Sequence, residues 1–584
     1  MLTQDDDGLR TIIERPSAQL AALVAWRSSR GVSRAEASRR AIFRALLLLL
    51  ALPSCADRDE KAPDVTGGAD TDAHADSSAD TAPDAHTDSA TDTGPPGDVA
   101  ETCAPQGFSQ DPTLHTLPAA FVAHNPDWLP FHKTSSGSES CGSGTGTYAW
   151  STVDLTGDGR LDLVVFRDDC TDAEIGASRW DVYEGQRGGF AEAPTAWALP
   201  TGLAEIVSED SPFDAIEGTL RCADGANQSF YYYVLDVTGD GWLDFVLSGA
   251  ECLDPALGRT RWDVYPGSSS GFAATPVAWA LPSAFADYNP DWFALVAPGS
   301  GGDCGDGSGS VDYAYRLLDL TGDGVLDLTL FYDECRDPAI GEAYWWVYEG
   351  GETGFAEDPL SWTLPANREA HAPRPFNDMA GYSDCYEGNA SDAKYSYSTL
   401  DLTGDGLLDL VIHHDDCGLA DGDYAWRVHE GDGAGFDPEG SSFLLPAAAT
   451  SVTNADGPTW SHDDSHASCD REEGHYWYRV TDLSNDGLPD LVLTLDTCLD
   501  PGIGRSHWNV YTAATTGFSE EPATFTLPTD FVDYYGWPGL TPLYALDGEL
   551  DCDAAEHAYG YTSIDLTNDS LHDLVVTFDQ CRGG

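Results

Sequence analysis

Between residues 104 and 584, short apolar runs alternate with polar turns that contain glycine, and the same order returns six times. In the first copy, residues 148–153 form an apolar run before a polar segment, and residues 161–167 form a second, β-branched run after it. Two such runs around a tight glycine-containing turn predict a β-hairpin. A third strand is predicted at residues 180–185, where large apolar and polar residues alternate, and a fourth at residues 197–200, which ends in proline.

The six copies keep a nearly constant length. The aspartates that open their hairpin turns lie 82, 83, 82, 81 and 83 residues apart. A fixed long period indicates a repeat fold, and four strands per repeat are typical of a β-propeller blade. We therefore predict an all-β protein, a β-propeller of about six four-stranded blades.

The ends of the repeat region predict how the ring closes. Gly107-Phe108 and the His-Thr-Leu-Pro sequence of residues 115–118 copy the end of a blade, although no hairpin precedes them. This N-terminal strand is expected to complete the last blade and close the propeller. The last repeat has no Trp-x-Val-Tyr third strand, so either this blade is irregular or the sequence is short at its C-terminal end.

Each hairpin turn is a nine-residue segment that we call an aspartate loop; the first is Asp154-Leu-Thr-Gly-Asp-Gly-Arg-Leu-Asp162. Side-chain oxygens stand at positions 1, 3, 5 and 9, position 7 offers its backbone carbonyl, and glycine at positions 4 and 6 permits a sharp turn. Calcium binds about six to eight oxygens, and the spacing resembles the start of an EF-hand loop, without its glutamate at position 12 or its flanking helices. The loops therefore predict cation sites; the simpler alternative is an Asp/Gly turn without a metal.

On these loops, in their strand–loop–strand context, residues 104–584 resemble the FG-GAP/VCBS repeat family, whose calcium-loop blades also occur in integrin α-chain propellers. The resemblance implies a β-propeller that binds several Ca²⁺ ions in its hairpin loops. The implied ligands are the side chains at positions 1, 3, 5 and 9: Asp154, Thr156, Asp158, Asp162, Asp236, Thr238, Asp240, Asp244, Asp319, Thr321, Asp323, Asp327, Asp401, Thr403, Asp405, Asp409, Asp482, Ser484, Asp486, Asp490, Asp565, Thr567, Asp569 and Asp573. Two features depart from the family. Position 3 is Thr or Ser where the family more often has Asn or Asp, and Ser570 replaces glycine at position 6 of the sixth loop.

Fourteen cysteines are present, and twelve of them occur as two per repeat. The second always lies 16 residues after the first aspartate of the loop. In an exported protein, disulfides within each repeat are the simplest pairing, although sequence alone does not prove connectivity. These pairs are Cys141–Cys170, Cys222–Cys252, Cys304–Cys335, Cys385–Cys417, Cys469–Cys498 and Cys552–Cys581. Metal-bound cysteine is the alternative, but there is no C-x-x-C spacing and no recurring histidine; Cys103 is left over.

The N-terminal residues predict export. Residues 1–54 form a leader in which arginines precede a short apolar run, as in a secretory signal peptide, and the run is too short to span a bilayer. The sequence Leu52-Pro-Ser-Cys55 resembles a bacterial lipobox, which implies lipid on Cys55; the alternative is an ordinary signal peptide with a chance cysteine. Residues 55–103 are rich in Ala, Asp and Thr and predict a disordered acidic linker. The expected location is the bacterial outer membrane or cell surface, with the lipid as the sole membrane anchor.

The charge of the chain excludes one class of partner. Asp and Glu number 99 against 28 Lys and Arg, which gives a formal net charge of −71. Nucleic-acid binding depends on Lys and Arg contacts to phosphate, so it is not expected. Self-repulsion destabilises a compact polyanion unless cations offset it. The alternative is that the acidity only keeps the surface soluble.

Few candidate functional residues lie outside the loops. Most tryptophans recur at strand positions and are predicted to pack in the core. Trp128 and Trp292, each in an Asn-Pro-Asp-Trp sequence within a variable loop, are better candidates for a binding rim. His462 and His466 break the repeat and could bind a metal or act in acid/base catalysis, although a solvated polar loop is the simpler interpretation.

No catalytic residue is assigned from these patterns. We predict a binding or adhesion module for a glycan or an extracellular protein. The alternatives are a polysaccharide-acting lyase or hydrolase built on a propeller, and a purely structural surface protein.

Overall fold

A computed structural model describes residues 107–123, 137–141, 146–207, 213–223, 228–287, 295, 299–302, 313–366, 376–384, 394–415, 425–447, 465–468, 475–531, 542–551 and 558–581. All of them belong to one compact unit. The predicted leader and linker, with Cys55 and Cys103, lie outside the described residues.

Regular structure in this part of the chain is almost entirely β. The exceptions are helix α1, Ala119–Val122, and three 3₁₀ helices at Ala204–Ile206, Ser283–Asp287 and Thr529–Phe531. Among the described residues, no helix has the length and apolar character needed to cross a membrane.

The strands form one main antiparallel sheet for each repeat. The first sheet and its ribbon comprise β1 (Gly137–Ser140), β2 (Thr147–Val153), β3 (Asp162–Asp168), β4 (Arg179–Tyr183), the ribbon β5 (Gly185–Gln186) and β6 (Gly189–Phe190), and β7 (Thr195–Ala198). The second sheet comprises β8 (Glu217–Arg221), β9 (Ser229–Leu235), β10 (Asp244–Ala250), β11 (Arg261–Tyr265) and β12 (Val277–Ala280). The third comprises β13 (Gly299–Gly302), β14 (Tyr313–Leu318), β15 (Asp327–Asp333), β16 (Tyr344–Tyr348) and β17 (Leu360–Thr363).

The remaining sheets follow the same order along the chain. The fourth comprises β18 (Ala380–Asp384), β19 (Lys394–Leu400), β20 (Asp409–Asp415), β21 (Ala425–His429) and β22 (Ser441–Leu444). The fifth comprises β23 (Ser465–Ser468), β24 (His475–Thr481), β25 (Asp490–Asp496), β26 (His507–Tyr511) and β29 (Ala523–Thr526), while the ribbon β27 (Ala513–Ala514) and β28 (Gly517–Phe518) joins the edge of the fourth sheet. The sixth comprises β30 (Asp547–Asp551), β31 (Ala558–Ile564) and β32 (Asp573–Asp579).

Five antiparallel sheets stand in a ring as the blades of a β-propeller, which confirms the predicted fold class. The sixth sheet has only three strands among the described residues, so six complete blades are not found there. Each complete blade has five strands instead of the predicted four, because an extra strand pairs with the hairpin on its free edge. The extra strand of the third blade reads Gly-Ser-Gly-Gly and lacks the alternation from which strands are predicted.

Neighbouring sheets are joined by a repeated parallel bridge. A glycine that follows the third strand of one repeat pairs with the last strand of the preceding repeat, as Gly271 does with Ala198 and Gly354 with Ala280. The N-terminal segment takes part in the same pattern, because Gly107 pairs with Thr526 of the fifth sheet. Nine residues further on, the segment reaches the first repeat through a bridge from Thr116 to Gly189. The N-terminal segment therefore connects the last complete blade to the first repeat.

The phenylalanine after each bridging glycine packs on the aromatic residues of the preceding repeat. Phe272 stands edge-on to Trp180 and Trp197, with ring centroids 5.5 and 6.0 Å away. Phe108 makes the same contacts to Trp508 and Phe525, at 5.5 and 4.8 Å. The predicted core role of the strand tryptophans is thus confirmed for eight of them, all buried: Trp180, Trp197, Trp262, Trp279, Trp345, Trp362, Trp426 and Trp508.

Candidate functional site

All six aspartate loops connect the two strands of a hairpin, as predicted. In the second repeat the loop runs from Asp236 to Asp244, and Asp244, the first residue of β10, pairs with Leu235, the last of β9. Position 9 is therefore held by the sheet, while positions 1 to 8 form the turn. Every implied ligand lies within the described residues, so the local environment of each loop is defined.

The position 9 aspartate organises the loop. The Asp244 carboxylate is fully buried and accepts hydrogen bonds from the backbone N–H groups of Val237 and Thr238, both at 3.1 Å. Its other oxygen accepts the N–H of Gly267 at 3.0 Å, which fixes the end of the third strand to the loop. Burial raises the pKa of Asp244 to about 6. The same cause raises the pKa of Asp490 to about 7.

The position 1 aspartate closes the turn. Asp236 accepts the N–H groups of Gly239, Asp240 and Gly241 at 2.7, 3.2 and 2.9 Å. Partial burial raises its pKa, and these backbone bonds oppose that rise. The position 5 aspartate, Asp240, is exposed and accepts the N–H of Trp242 at 2.9 Å. All three carboxylates thus accept backbone N–H groups, three each for Asp236 and Asp244 and one for the exposed Asp240.

The donor set fits a hard cation. An ionised carboxylate offers about four lone-pair sites, and the three bonds each to Asp236 and Asp244 leave oxygen capacity on both. The position 3 hydroxyls of Thr238 and Thr403 are buried without a hydrogen-bond partner in the described part of the chain. Ca²⁺ takes oxygen ligands, chiefly carboxylates and carbonyls, and a hydroxyl is a weaker oxygen ligand that can complete the set. In the described residues, however, no three His, Cys, Asp or Glu side chains are already gathered into a metal-holding group.

The position 4 glycines allow neighbouring aspartate loops to approach each other closely. Gly322 and Gly324, at positions 4 and 6 of the third loop, have φ of +74° and +86°, a region that favours glycine. A Cβ on Gly322 would lie 2.5 Å from a methyl carbon of Leu407 in the fourth loop, whereas a Cβ on Gly324 would meet nothing within 4 Å. Equivalent contacts join the first loop to the second, the second to the third and the fourth to the fifth.

The sixth loop departs from this pattern. Its positions 4 and 6 are Asn568 and Ser570, and both adopt positive φ, at +53° and +66°. Asn568 approaches the first loop, because a Cβ on Gly159 would lie 2.9 Å from its side-chain nitrogen. The fifth loop carries Asn485 at position 4 with φ of +56°. The irregular loops are thus the loop of the three-stranded sheet and the loop of the fifth sheet.

Two of the six predicted disulfides are formed by described residues, Cys141–Cys170 and Cys222–Cys252, with Cα atoms 5.5 and 5.9 Å apart. Three more of the predicted cysteines are disulfide-bonded, and their predicted partners lie outside the described residues; they are Cys335, Cys498 and Cys581. The pair Cys385–Cys417 lies wholly outside. Disulfides indicate an oxidising compartment.

A second set of aspartates, which sequence reasoning missed, shapes the turns that carry the second cysteines Cys170, Cys498 and Cys581. Asp496 is buried at the end of its strand and accepts the N–H groups of Cys498 and Leu499 at 2.8 and 2.9 Å. Asp168 does the same for Cys170 and Thr171. The signal was available, because an aspartate stands two residues before the second cysteine in five of the six repeats.

Among the other candidate residues, only His466 lies in the described part of the chain. Trp128, Trp292 and His462 lie outside the described residues. His466 lies in the extra strand of the fifth sheet, where its backbone pairs with Trp477.

Comparisons with known proteins do not name a family. No family model and no curated protein matches the chain. A solved structure of an Agrocybe aegerita lectin that recognises non-reducing terminal N-acetylglucosamine shares 15% identity over 74% of this chain and 81% of that one, with a TM-score of 0.31.

Two further structures are more distant. An exotype rhamnogalacturonan lyase shares 11% identity over 74% of this chain and 72% of that one, with a TM-score of 0.21. A putative 6-phosphogluconolactonase from Bacteroides uniformis shares 9% identity over 76% and 85%, with a TM-score of 0.15. Likenesses this weak carry no argument about function.

Proposed function

We propose that the protein is an exported, calcium-stabilised β-propeller that acts as a binding or adhesion module for a partner outside the cell. The observation that carries this proposal is the organisation of the aspartate loops. Their carboxylates at positions 1 and 9 are held by backbone N–H groups, and the hydroxyls of Thr238 and Thr403 are buried without a described partner. A bound Ca²⁺ would satisfy these oxygens and offset the repulsion between the carboxylates.

The residues that would hold the ion are those at positions 1, 3, 5 and 9. In the second loop these are Asp236, Thr238, Asp240 and Asp244, with the position 7 backbone carbonyl of Trp242. The ion would supply rigidity to the turn, because it links the exposed Asp240 to the sheet-bound Asp244. This role is structural, and the repetition of the loops in every repeat supports it over a single regulatory site.

We also infer that the three-stranded sheet is a sixth blade. Its hairpin, β31 and β32, surrounds an aspartate loop as in the other blades. The bridges of Gly107 and Thr116 to the fifth sheet and the first repeat support a contribution of the N-terminal segment to this blade. Export, lipidation at Cys55 and attachment to an outer membrane or cell surface belong to the same proposal, and the disulfides support its oxidising compartment.

Calcium content and thermal stability test the proposal. The full chain, equilibrated with calcium and freed of excess ion, should retain several Ca²⁺, and chelation should lower its melting temperature. Asp240→Asn should remove one ion, whereas Asp358→Asn, at an exposed aspartate outside the loops, should remove none. A content below about one Ca²⁺ per chain would show that the loops are not calcium sites.

A further inference from the structure

The first two repeats place an arginine at one equivalent surface position. In the first repeat, Arg179 opens the third strand and donates to Asp172 at 2.7 Å and to Asp181 at 3.0 Å. In the second repeat, Arg261 donates to Asp254 at 2.9 Å and to Asp263 at 3.0 Å. At this position a guanidinium therefore lies between two carboxylates, one from the preceding loop and one from the strand.

The third repeat keeps the first carboxylate and replaces the other two groups. Tyr344 stands where the arginine does, and Trp346 stands where the strand aspartate does. The Tyr344 hydroxyl donates to Asp337 at 2.5 Å, and the two rings lie at an interplanar angle of 23° with centroids 6.4 Å apart. The inner parts of both rings pack on a buried cluster, and both residues remain partly exposed.

The neighbourhood of these rings is acidic. Residues 333–342 carry four carboxylates and one arginine, within a chain that has 99 acidic and 28 basic residues. The faces of Trp and Tyr attract guanidinium and ammonium groups, more strongly when the site is partly desolvated. A negatively charged protein also speeds encounter with a positively charged partner.

From this comparison between repeats we propose that Asp337, Tyr344 and Trp346 bind an arginine or lysine side chain of a basic protein partner. The site lacks the internal arginine that the first two repeats carry, and it offers aromatic rings and a carboxylate in its place. Arg179 and Arg261 show that the surrounding strand accommodates a guanidinium at this point. The proposal rests on the proposed function, since it names one contact of the binding module and the class of partner.

The sister repeats supply a matched control. The double variant Tyr344→Arg/Trp346→Asp converts the third repeat into the arrangement of the first two, and it leaves the net charge unchanged. A synthetic peptide of alternating arginine and glycine serves as probe, titrated by calorimetry into the full calcium-loaded chain at about 0.15 M salt, where long-range attraction is screened. We expect the dissociation constant to rise about tenfold in the double variant.

Two outcomes would overturn the proposal. Equal affinity in both proteins would overturn the proposal, because it would leave only nonspecific attraction to a polyanion. Binding of neutral oligosaccharides, lost in the double variant while the peptide still binds, would also overturn it and assign the rings to a glycan. If the double variant fails to fold, Trp346→Asn provides the test, since asparagine occupies this position in the fifth repeat as Asn509.

Calcium content, measured in the same samples, separates this proposal from the proposed function. If the protein holds no calcium but still binds the peptide more tightly than the double variant does, only the assignment of Ca²⁺ to the aspartate loops is contradicted. Normal calcium with equal peptide affinity in both proteins would contradict the Tyr344 and Trp346 site alone.

Discussion

Phe108 stands edge-on to Phe525 with ring centroids 4.8 Å apart, although 417 residues separate them in the chain. Phe108 also contacts Trp508 and is 8% exposed. The contact fixes the first described segment to the fifth blade.

Removal of this contact should destabilise the whole propeller. Phe108→Ala is expected to cost about 3 kcal/mol, because a buried aromatic side chain is lost and a cavity remains. Leu114→Ala, in the same segment but 83% exposed, should change little. Denaturant unfolding measures both; similar stability of the two variants would show that the segment does not help to close the ring.

Two variants of the third aspartate loop distinguish the energy of its contact with the fourth loop from the energy of its own backbone strain. Gly324→Ala introduces strain at positive φ and should lower the free energy of unfolding by about 1 kcal/mol. Gly322→Ala adds a clash with Leu407 of the next loop, and overpacking costs about 1–3 kcal/mol more. Thermal unfolding of the two variants gives the difference. Equal costs would mean that neighbouring loops do not constrain each other.

Ser570 holds a conformation that glycine adopts more easily, with φ of +66°. Ser570→Gly should therefore stabilise the protein, by up to about 1 kcal/mol after the added freedom of the unfolded chain is counted. The backbone N–H that Asp565 accepts at 2.8 Å is retained. Gly487→Ser, the reverse change at the same position of the fifth loop, should destabilise by a similar amount. A destabilised Ser570→Gly protein would reveal a role for the serine hydroxyl.

The Cys222–Cys252 disulfide closes a loop of 30 residues. Replacement of both cysteines by alanine should lower the free energy of unfolding by about 3–4 kcal/mol, because the unfolded chain gains freedom. Cys103→Ala, at a cysteine that the sequence leaves without a partner, should have little effect. Denaturant unfolding of the full chain under non-reducing conditions checks both values.

In calcium-free protein, the buried aspartates should make stability depend on pH. Burial raises the pKa of Asp244 to about 6 and that of Asp490 to about 7. A carboxyl whose folded pKa lies above its unfolded value favours folding when protonated, and this contribution is lost as pH rises through the folded pKa. The melting temperature of calcium-depleted protein should therefore fall between pH 5 and pH 8.

Two variants test the source of this dependence. Asp490→Asn should flatten the fall, since it removes one titrating group, while Asp358→Asn, at an exposed aspartate, should not. Added calcium should raise the melting temperature more at pH 8 than at pH 5, because protons compete for the same oxygens. An equal calcium effect at both values would contradict the assignment of ions to these carboxylates.

Local sequence predicted the hairpins closely, because strand alternation and turn glycines act between near neighbours. The strands predicted at residues 148–153 and 161–167 are Thr147–Val153 and Asp162–Asp168 in the structure. The extra strand of each complete blade was missed, since a segment such as Gly299–Gly302 forms a strand only through pairing with the hairpin edge.

The candidate site was predictable only in part. Spacing identified the aspartates and the position 3 hydroxyls, but not the bond from the Gly267 N–H to Asp244, which joins residues 23 apart. The Tyr344 and Trp346 pair also escaped notice, because both residues fit an ordinary alternating strand. Tyr344 and Trp346 stand where the first repeat has Arg179 and Asp181, and this replacement becomes visible only when equivalent positions of the folded repeats are compared.

The position of the N-terminal segment determines which contacts of the propeller bear a force applied from the N-terminal side. Tension applied from the N-terminal side reaches Gly107 and Phe108 before any other described residue, so it acts first on their contacts with the fifth blade. Such a force would first separate the N-terminal segment from the fifth blade, while the hairpins of the blades stay paired. The contacts of Gly107 and Phe108 would then determine the force at which the propeller begins to unfold.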